Sequence, residues 1–516
     1  MDIIVIGAGP AGLTAAIAAA QQGSRVLILE KNDIAGKKLL ISGAGRCNLT
    51  NDRPIPEFLS RYGGKDRFVK PALFNFDNRE LIRFFEQRGI RFVTLGNNKI
   101  FPRSERSRDI LDALLEAAYE AGVNIRFRNR VKAIRAEGTS TVQSVQSEKQ
   151  VSQPQSGLDA FVLLDASNSD SLEELKEREE LKEEKEEQEE SSSREGESSL
   201  SETAPRFEVE TDERTYKAHR VIVTTGGKSY PSTGSTGDSF VWLAELGHTI
   251  ITPSPALTPV RVSQAPGGLI GNNSLSTPRV REKSGSDERF PLSHCAGIAV
   301  DMATITLRRG GRKISQFEGD LMITHDGFSG PGILDNSRFM IPGDELQICW
   351  VEASAALELD KRIIDLLSQS GKRLAKNALA GLGVPDRLLE TLMVLAGIDP
   401  NPKDRLGQTP TVRKTAVFPF REYGDATGLT KDQRRKLVRH LRESSWIIDS
   451  LGDFNEAMVT AGGVMTTEIN RNSMESRLVP GLYLAGEVID VDADTGGFNL
   501  QWAFSSGFMA GSKAGA

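Results

Sequence analysis

The sequence predicts an α/β protein whose parallel sheet is assembled from separated stretches of the chain. Three observations lead there. Two short apolar runs at the start flank a glycine-rich turn, a third run ends in Gly226-Gly227, and a fourth, Gly481 to Gly486, precedes another glycine-rich turn and a last helix. Short apolar runs bounded by glycines read as buried strands of a parallel sheet.

Ile3-Ile4-Val5-Ile6 reads as the first strand, Leu13 to Gln22 as an alanine-rich helix, and Val26-Leu27-Ile28-Leu29 as the second strand, ending at Glu30. The turn between strand and helix is Gly7-Ala8-Gly9-Pro10-Ala11-Gly12, a G-x-G-x-x-G spacing with an acid 18 residues beyond its last glycine. Gly7 permits the tight turn, Gly9 lets backbone approach a pyrophosphate, and Gly12 lets helix and strand pack closely. The helix N-terminus offers free N–H groups and positive potential to phosphate oxygens. Glu30, with Lys31 beside it, is placed for ribose hydroxyls. This predicts a Rossmann-like, dinucleotide-binding unit, and the motif alone leaves FAD and NAD open.

The chain has 516 residues and a net charge of −6, enough length for two or three domains and no basic excess of the kind that marks a general nucleic-acid binder. Cys47, Cys295 and Cys349 form no C-x-x-C pair, so neither a zinc site nor a disulfide framework is signalled. No basic leader precedes the first strand, and no run approaches the ~20 apolar residues that cross a bilayer. The expected compartment is the cytoplasm, with no membrane association.

Domain organisation follows from changes of texture. Residues 1–135 form the first part of the nucleotide fold. Residues 136–205 are a low-complexity insertion. Between Asp170 and Glu197 it holds 14 acids and 5 bases, a net of −9, so the remainder of the chain carries about +3. That composition favours disorder or a lone exposed helix. Ile125 to Ile134 and Phe207 to Glu210 read as strands of one small sheet whose turn the acidic segment enlarges. The nucleotide fold resumes over 206–253, with the strand Arg220 to Thr225. Over 254–351 the runs Ala299 to Leu307, Lys313 to Phe317 and Glu345 to Val351 give antiparallel barrel or sandwich texture. Over 352–445 the period turns helical, at Ala355–Gln369, Asp386–Ala396 and Lys431–Glu443. Residues 446–516 close the nucleotide fold.

Two further constellations carry chemistry. From Gly36 to Asn51, Lys37, Lys38 and Arg46 supply charge, Ser42, Asn48 and Asn51 supply directional hydrogen bonds, and glycines including Gly43 expose backbone N–H groups. This loop should lie along a pyrophosphate and the sugar-alcohol chain of a flavin. In the tail, Gly486-Glu487 follows a strand and Gly496-Gly497-Phe498-Asn499 opens a helix. A helix N-terminus aimed at a flavin stabilises the negative charge that reduction brings.

These blocks resemble one family. Gly36–Asn51 (with its Gly-Arg-Cys-Asn-Leu-Thr-Asn), Ala256–Arg261, Thr324–Pro331, Val459–Val464, Thr466–Arg477 and Gly481–Gly507 (with its Gly-Gly-Phe-Asn-Leu-Gln-Trp) are similar to the bacterial BaiN-like, or aminoacetone-oxidase-like, flavoproteins. The resemblance covers nearly the whole chain except the acidic insertion and about 265–290. It implies a discontinuous Rossmann-like FAD-binding domain with an inserted antiparallel β-barrel-like domain and a helical subdomain. It implies noncovalent FAD held by the first glycine loop, Glu30, Arg46–Asn48 with Cys47, Val131, Thr225, Gly226 and Gly227, and Gly486 to Asn499. Phe498 stands where tyrosine is common in the family.

The expected activity is hydride transfer between flavin N5 and a small organic substrate, with NAD(P)H or O2 as the other redox partner. No second G-x-G-x-x-G marks a dedicated nicotinamide site. No catalytic acid or base stands out, since His219, His248, His294, His325 and His440 are each isolated and no metal-ligand cluster appears. Two other readings stand beside this one. A flavoprotein of RNA modification would need a basic groove, for which Lys372, Arg373, Lys376 and Arg434 to Arg442 are the only candidates. A nonenzymatic flavin-binding protein is the other.

Overall fold

The computed structural model describes residues 1–137, 206–264, 290–352, 355–369, 374–400 and 429–516. The centre of the acidic insertion, the 265–289 stretch, and Lys372 and Arg373 lie outside the described residues.

Strand β1 (Ile3–Ile6), helix α1 (Pro10–Gln21) and strand β2 (Val26–Leu29) form in that order. Every residue of both strands is buried, as their unbroken apolar runs require. Pro10 sits in the first helical turn, where its fixed φ suits the helix and its missing N–H costs nothing. The five-stranded parallel sheet runs Leu482–Leu484, Arg220–Val223, β1, β2, Asn124–Arg126. The sheet therefore draws strands from the start, the middle and the end of the chain, so the discontinuous Rossmann-like arrangement holds.

The last helix, Phe498–Gly515, returns along α1. A Cβ on Gly507, Gly511 or Gly515 would overlap the backbone of Ala11, Ala15 and Ala19 respectively. Glycines spaced four apart on one helix face alanines spaced four apart on the other, and the two backbones approach closely.

A closed antiparallel barrel of six strands stands apart from this sheet: Val260–Gln264, Gly327–Ser329, Arg312–Ile323, Ala299–Arg309, Glu345–Cys349 and Ser444–Leu451. Phe290, Phe328, Trp350 and Trp446 fill it, with ring centroids 5.2 to 6.1 Å apart. Edge-to-face pairs of this kind add about 1 kcal/mol each beyond burial. The helices Ala356–Gln369, Ala375–Leu379, Asp386–Leu395 and Lys431–Arg442 share one apolar core with the barrel.

Two details differ from the sequence reading. The strand expected over Ile125 to Ile134 is two strands, Asn124–Arg126 in the main sheet and Val131–Ala136 in a three-stranded sheet with Phe207–Thr211 and Thr215–Ala218. The chain breaks at Arg128, whose φ is +57°, and Arg128 N–H and Asn129 N–H donate to the carbonyls of Asn32 and Glu30. Secondly, Ser444–Leu451 completes the barrel, pairing with Val260–Gln264 and Glu345–Cys349, although its sequence position follows the helical segment. Among the described residues, no helix is long and apolar enough to cross a membrane.

Candidate active site

A cavity of about 550 Å³ opens along the carboxyl ends of β1 and β2. Open α/β sheets bind ligands at that edge. At one end it is walled by Gly7, Gly9, Pro10 and Ala11 of the first turn, Glu30 to Asn32, Asn129 to Val131, Thr224 to Gly226, Thr233 to Ser235, Gly237 and Asp238. At the other end are Ser42 to Ala44, Arg46, Asn48, Phe101, Leu257, Pro331, Leu334, Met458 and Asp494 to Gly497.

The first turn is shaped by three glycines with separate duties. Gly7 has φ +104° and donates its N–H to Leu29 O at 2.9 Å. A Cβ on Gly12 would overlap Gly7 O and Thr224 Oγ1, so its duty is helix–strand contact, and it is not part of the cavity wall. A Cβ on Gly9 would meet nothing within 4 Å. Gly9 thus faces open space in the cavity, at the N-terminus of α1, which has no side-chain cap.

Glu30 is buried, and its carboxylate is oriented by Ala8 N–H on Oε2 and by Asn32 N–H and Nδ2 on Oε1, each at 2.8 Å. Lys31 Nζ reaches Asp238 Oδ2 at 2.7 Å and Thr236 Oγ1 at 2.6 Å, fixing the 234–238 turn over this end. Thr225 and Gly226 are on the wall, with Thr225 Oγ1 2.6 Å from Ser239 Oγ. Gly227 is not, because it packs against Thr460 and Glu487.

Helix α2 (Lys37–Ile41) leads into the second loop. Gly43, Ala44, Gly45 and Cys47 all have positive φ. Ser42 Oγ donates to Leu39 O at 2.7 Å, and the Arg46 guanidinium lies 5.1 Å from the Phe101 ring centroid. Lys38 Nζ forms a 2.7 Å ion pair with Glu487 Oε2, and Glu487 Oε1 accepts from Thr460 N–H and Ser229 Oγ. This joins α2, which leads into the second loop, to the turn that begins at Gly486 after the strand Leu482–Leu484.

The loop before the C-terminal helix is held from the barrel side. Arg338 Nη2 donates to Asp494 Oδ1 at 3.0 Å, and its Nη1 lies 3.0 Å from Asp492 Oδ2. Asp335 accepts from Thr495 N–H at 2.6 Å and from Thr495 Oγ1 at 3.3 Å. Asn499 is on the wall, but its amide serves the same loop, bonding Ala493 N–H and the carbonyls of Ala493 and Asp494. Gly497, φ +97°, begins the helix without a side-chain cap.

Two expected residues turn away from the cavity. Cys47 belongs to the apolar core, and burial pushes its thiol up to about 12. Phe498 packs edge-on against Phe58 at 4.9 Å. None of the five histidines is on the wall, and among the described residues no cluster of His, Cys, Asp and Glu could hold a metal. Residues that sequence reasoning missed are Asp335, Arg338, Asp494, Asp238 and the apolar wall Leu257, Leu334 and Met458. Only their folding together marks them.

These features fit a dinucleotide. Gly9 leaves room for a pyrophosphate at an uncapped helix end, Glu30 presents a fixed acceptor, and the cavity continues to a second uncapped helix end at Gly497.

The profile of the HI0933-like protein Rossmann domain matches residues 1–157 and 173–513. The chain belongs to that family. This HI0933-like protein is 26% identical over 519 residues, covering 99% of its own length and 98% of the relative's, to the 3-dehydro-bile acid delta(4,6)-reductase of Clostridium scindens. It is 26% identical to the ribosomal RNA dihydrouridine synthase of Escherichia coli K12, over 98% of its length and 96% of the relative's. Among solved structures, the 3-ketosteroid-delta4-(5alpha)-dehydrogenase of Rhodococcus jostii aligns with a TM-score of 0.40 at 14% identity, covering 100% of this chain and 96% of that one. The family is one of flavoprotein oxidoreductases, and this member is an enzyme.

Proposed function

We propose that this enzyme holds FAD noncovalently in the cavity and transfers hydride between the flavin and a small unsaturated organic substrate, with NAD(P)H or O2 as the other redox partner. One observation carries the reading: a single cavity joins two helix N-termini that begin at glycines and carry no side-chain cap, at Gly9 and at Gly497, from opposite ends of the chain. Bound flavin supplies two-electron chemistry there, and the protein supplies position and electrostatics. Gly9 and the α1 terminus would receive the pyrophosphate and Glu30 the ribose hydroxyls. Ser42, Gly43, Arg46, Asn48, Val131, Gly486 and Glu487 would flank the flavin side chain, and the C-terminal helix would face the charge that reduction brings.

The apolar wall of Leu257, Leu334 and Met458 suits a substrate with a hydrophobic face. The two relatives' names each denote saturation of a ring double bond, which supports an unsaturated ring compound as the substrate class. The RNA reading has less support. On the helix Lys431–Arg442, Arg434, Lys436 and Arg442 are paired with Asp360, Asp432 and Glu443. Three of its six basic side chains are thus answered by carboxylates.

The deciding experiment is anaerobic mixing of the FAD-loaded protein with NADH or NADPH, followed by flavin absorbance. Rapid bleaching, reversed by an unsaturated ketone such as 2-cyclohexen-1-one, is expected. Protein that takes up no FAD sinks the reading. Bleaching by an amine but not by nicotinamide moves it to an oxidase.

A further inference from the structure

Four acidic residues line the cavity: Glu30, Asp238, Glu487 and Asp494. Three are fully matched. Glu30 takes three N–H donors, Asp238 takes Lys31 and Thr236, and Glu487 takes Lys38, Ser229 and Thr460. Asp494 is placed differently. Arg338 is 3.0 Å away but also serves Asp492, and Arg61 is 3.5 Å away. Asp335, on Thr495, adds a third carboxyl to the group. Nearby Asp490 has Lys65 to itself at 2.6 Å, and Glu487 has Lys38.

Three buried carboxyls thus lie beside two guanidiniums: Arg338 is divided between Asp492 and Asp494, Arg61 reaches Asp494 only at 3.5 Å, and Asp335 feels both at longer range. The Arg338 side chain is only 7% exposed, and those of Asp492 and Asp494 are 13% and 20% exposed. In such a setting, with carboxyls outnumbering the cations, one of them retains a proton more readily. We propose that Asp494 is the acid–base group of this cavity, and that Arg338 and Asp335, reaching in from the barrel side, are the positioning residues that govern its proton. The proposal rests on the flavin reading above.

The direction of titration agrees. Burial first, then the neighbouring Asp335 charge, push Asp494 up to about 6, against the opposing pull of Arg338 and Arg61. Burial also raises Asp335 and Asp492.

Saturating a carbon–carbon double bond adds one hydride and one proton to adjacent carbons. A flavin bound in the cavity and reduced by a nicotinamide would supply the hydride. The Asp494 carboxyl supplies the proton: its O–H bond breaks as the substrate C–H bond forms, and the carboxylate left behind is reprotonated from solvent. In the desaturating direction the carboxylate takes the proton back.

Infrared titration of the FAD-loaded protein tests this without turnover. Wild type should show a protonated-carboxyl stretch that fades as pH rises through about 6. FAD-bound Asp494→Asn should lose the component of that stretch that fades at about 6, whatever remains from Asp335 and Asp492. Arg338→Gln should bind the proton at least tenfold more tightly, Asp335→Asn at least tenfold more weakly, and Arg338→Lys should restore wild-type behaviour. The pH profile of 2-cyclohexen-1-one reduction should shift in step. An unchanged carboxyl band in FAD-bound Asp494→Asn overturns the proposal and leaves the flavin reading intact. Wild-type protein that retains no FAD overturns both.

Discussion

Lys38 Nζ and Glu487 Oε2 lie 2.7 Å apart although 449 residues separate them in the chain. The pair is partly screened, with side chains 27% and 21% exposed, so its direct contribution to stability is modest. Its larger consequence is geometric, because it ties α2 to the turn that begins at Gly486. Lys38→Met should raise the FAD Kd about tenfold, or about 1.4 kcal/mol, while moving Tm by only a few degrees. Glu487→Gln, which keeps an acceptor for Thr460 N–H, should cost less than Glu487→Ala. Flavin-fluorescence titration and thermal melting measure both. Wild-type affinity in Lys38→Met would show that the pair does not shape the site.

Gly9 and Gly12 separate folding from binding. Alanine at Gly12 gains up to about 1 kcal/mol in helix propensity but places its Cβ on the Gly7 carbonyl and Thr224 Oγ1. The steric term dominates, because the obstacle is backbone. Gly12→Ala should lower Tm by more than 5 °C or yield insoluble protein, a loss of several kcal/mol. Alanine at Gly9 meets no protein atom within 4 Å. Gly9→Ala should melt like wild type and bind FAD at least tenfold more weakly. Equal melting of the two variants would contradict the separate duties assigned to them.

Local spacing made the nucleotide unit legible. Gly7 to Gly12, the flanking apolar runs and Glu30 lie within 28 residues and act on one another directly. Alternating texture likewise announced the barrel strands Ala299–Arg309, Arg312–Ile323 and Glu345–Cys349. The break at Arg128 was not legible, because an arginine carries no preference for positive φ; backbone bonds to Asn32 and Glu30 accompany it there. The Arg338–Asp494 pair spans 156 residues and has no local signature. The Gly507-Gly511-Gly515 stripe did have one. Its spacing of four matches Ala11, Ala15 and Ala19 and foretells the helix pair that brings the two ends of the chain together.

Cys47 shows how a loop can suggest reactivity that its conformation denies. Its φ of +62° goes with a thiol buried in the core, and burial pushes that thiol up to about 12. At pH 8 only about one molecule in ten thousand would carry the thiolate, which is the reactive form. Iodoacetamide at pH 8 should therefore modify half-buried Cys349 well before Cys47, and Cys47 only when the protein is unfolded. Peptide mapping by mass spectrometry follows each site. Early modification of Cys47 would place its thiol on the cavity after all.

His440 makes the barrel-and-helix half acid-sensitive. It sits on the helix Lys431–Arg442, is 5% exposed, and has no hydrogen-bond partner for Nε2. Burial, reinforced by Arg439 and Lys436, holds its pKa down to about 4, against an opposing bond at Leu395. A histidine in the unfolded chain titrates near 6.5. Between those values the unfolded state binds the proton and the folded state does not, so unfolding is favoured as pH falls. Stability from this group is complete above about 6.5 and declines toward pH 4, by a total of about 3 kcal/mol. Other titrating groups, Asp494 among them, act in the same range, so the decisive quantity is the difference between wild type and His440→Leu. Denaturant unfolding of both from pH 7 to pH 4 should show the wild type losing stability faster by up to one proton's worth of slope. Parallel curves would mean that His440 is already charged in the fold, or finds a partner there.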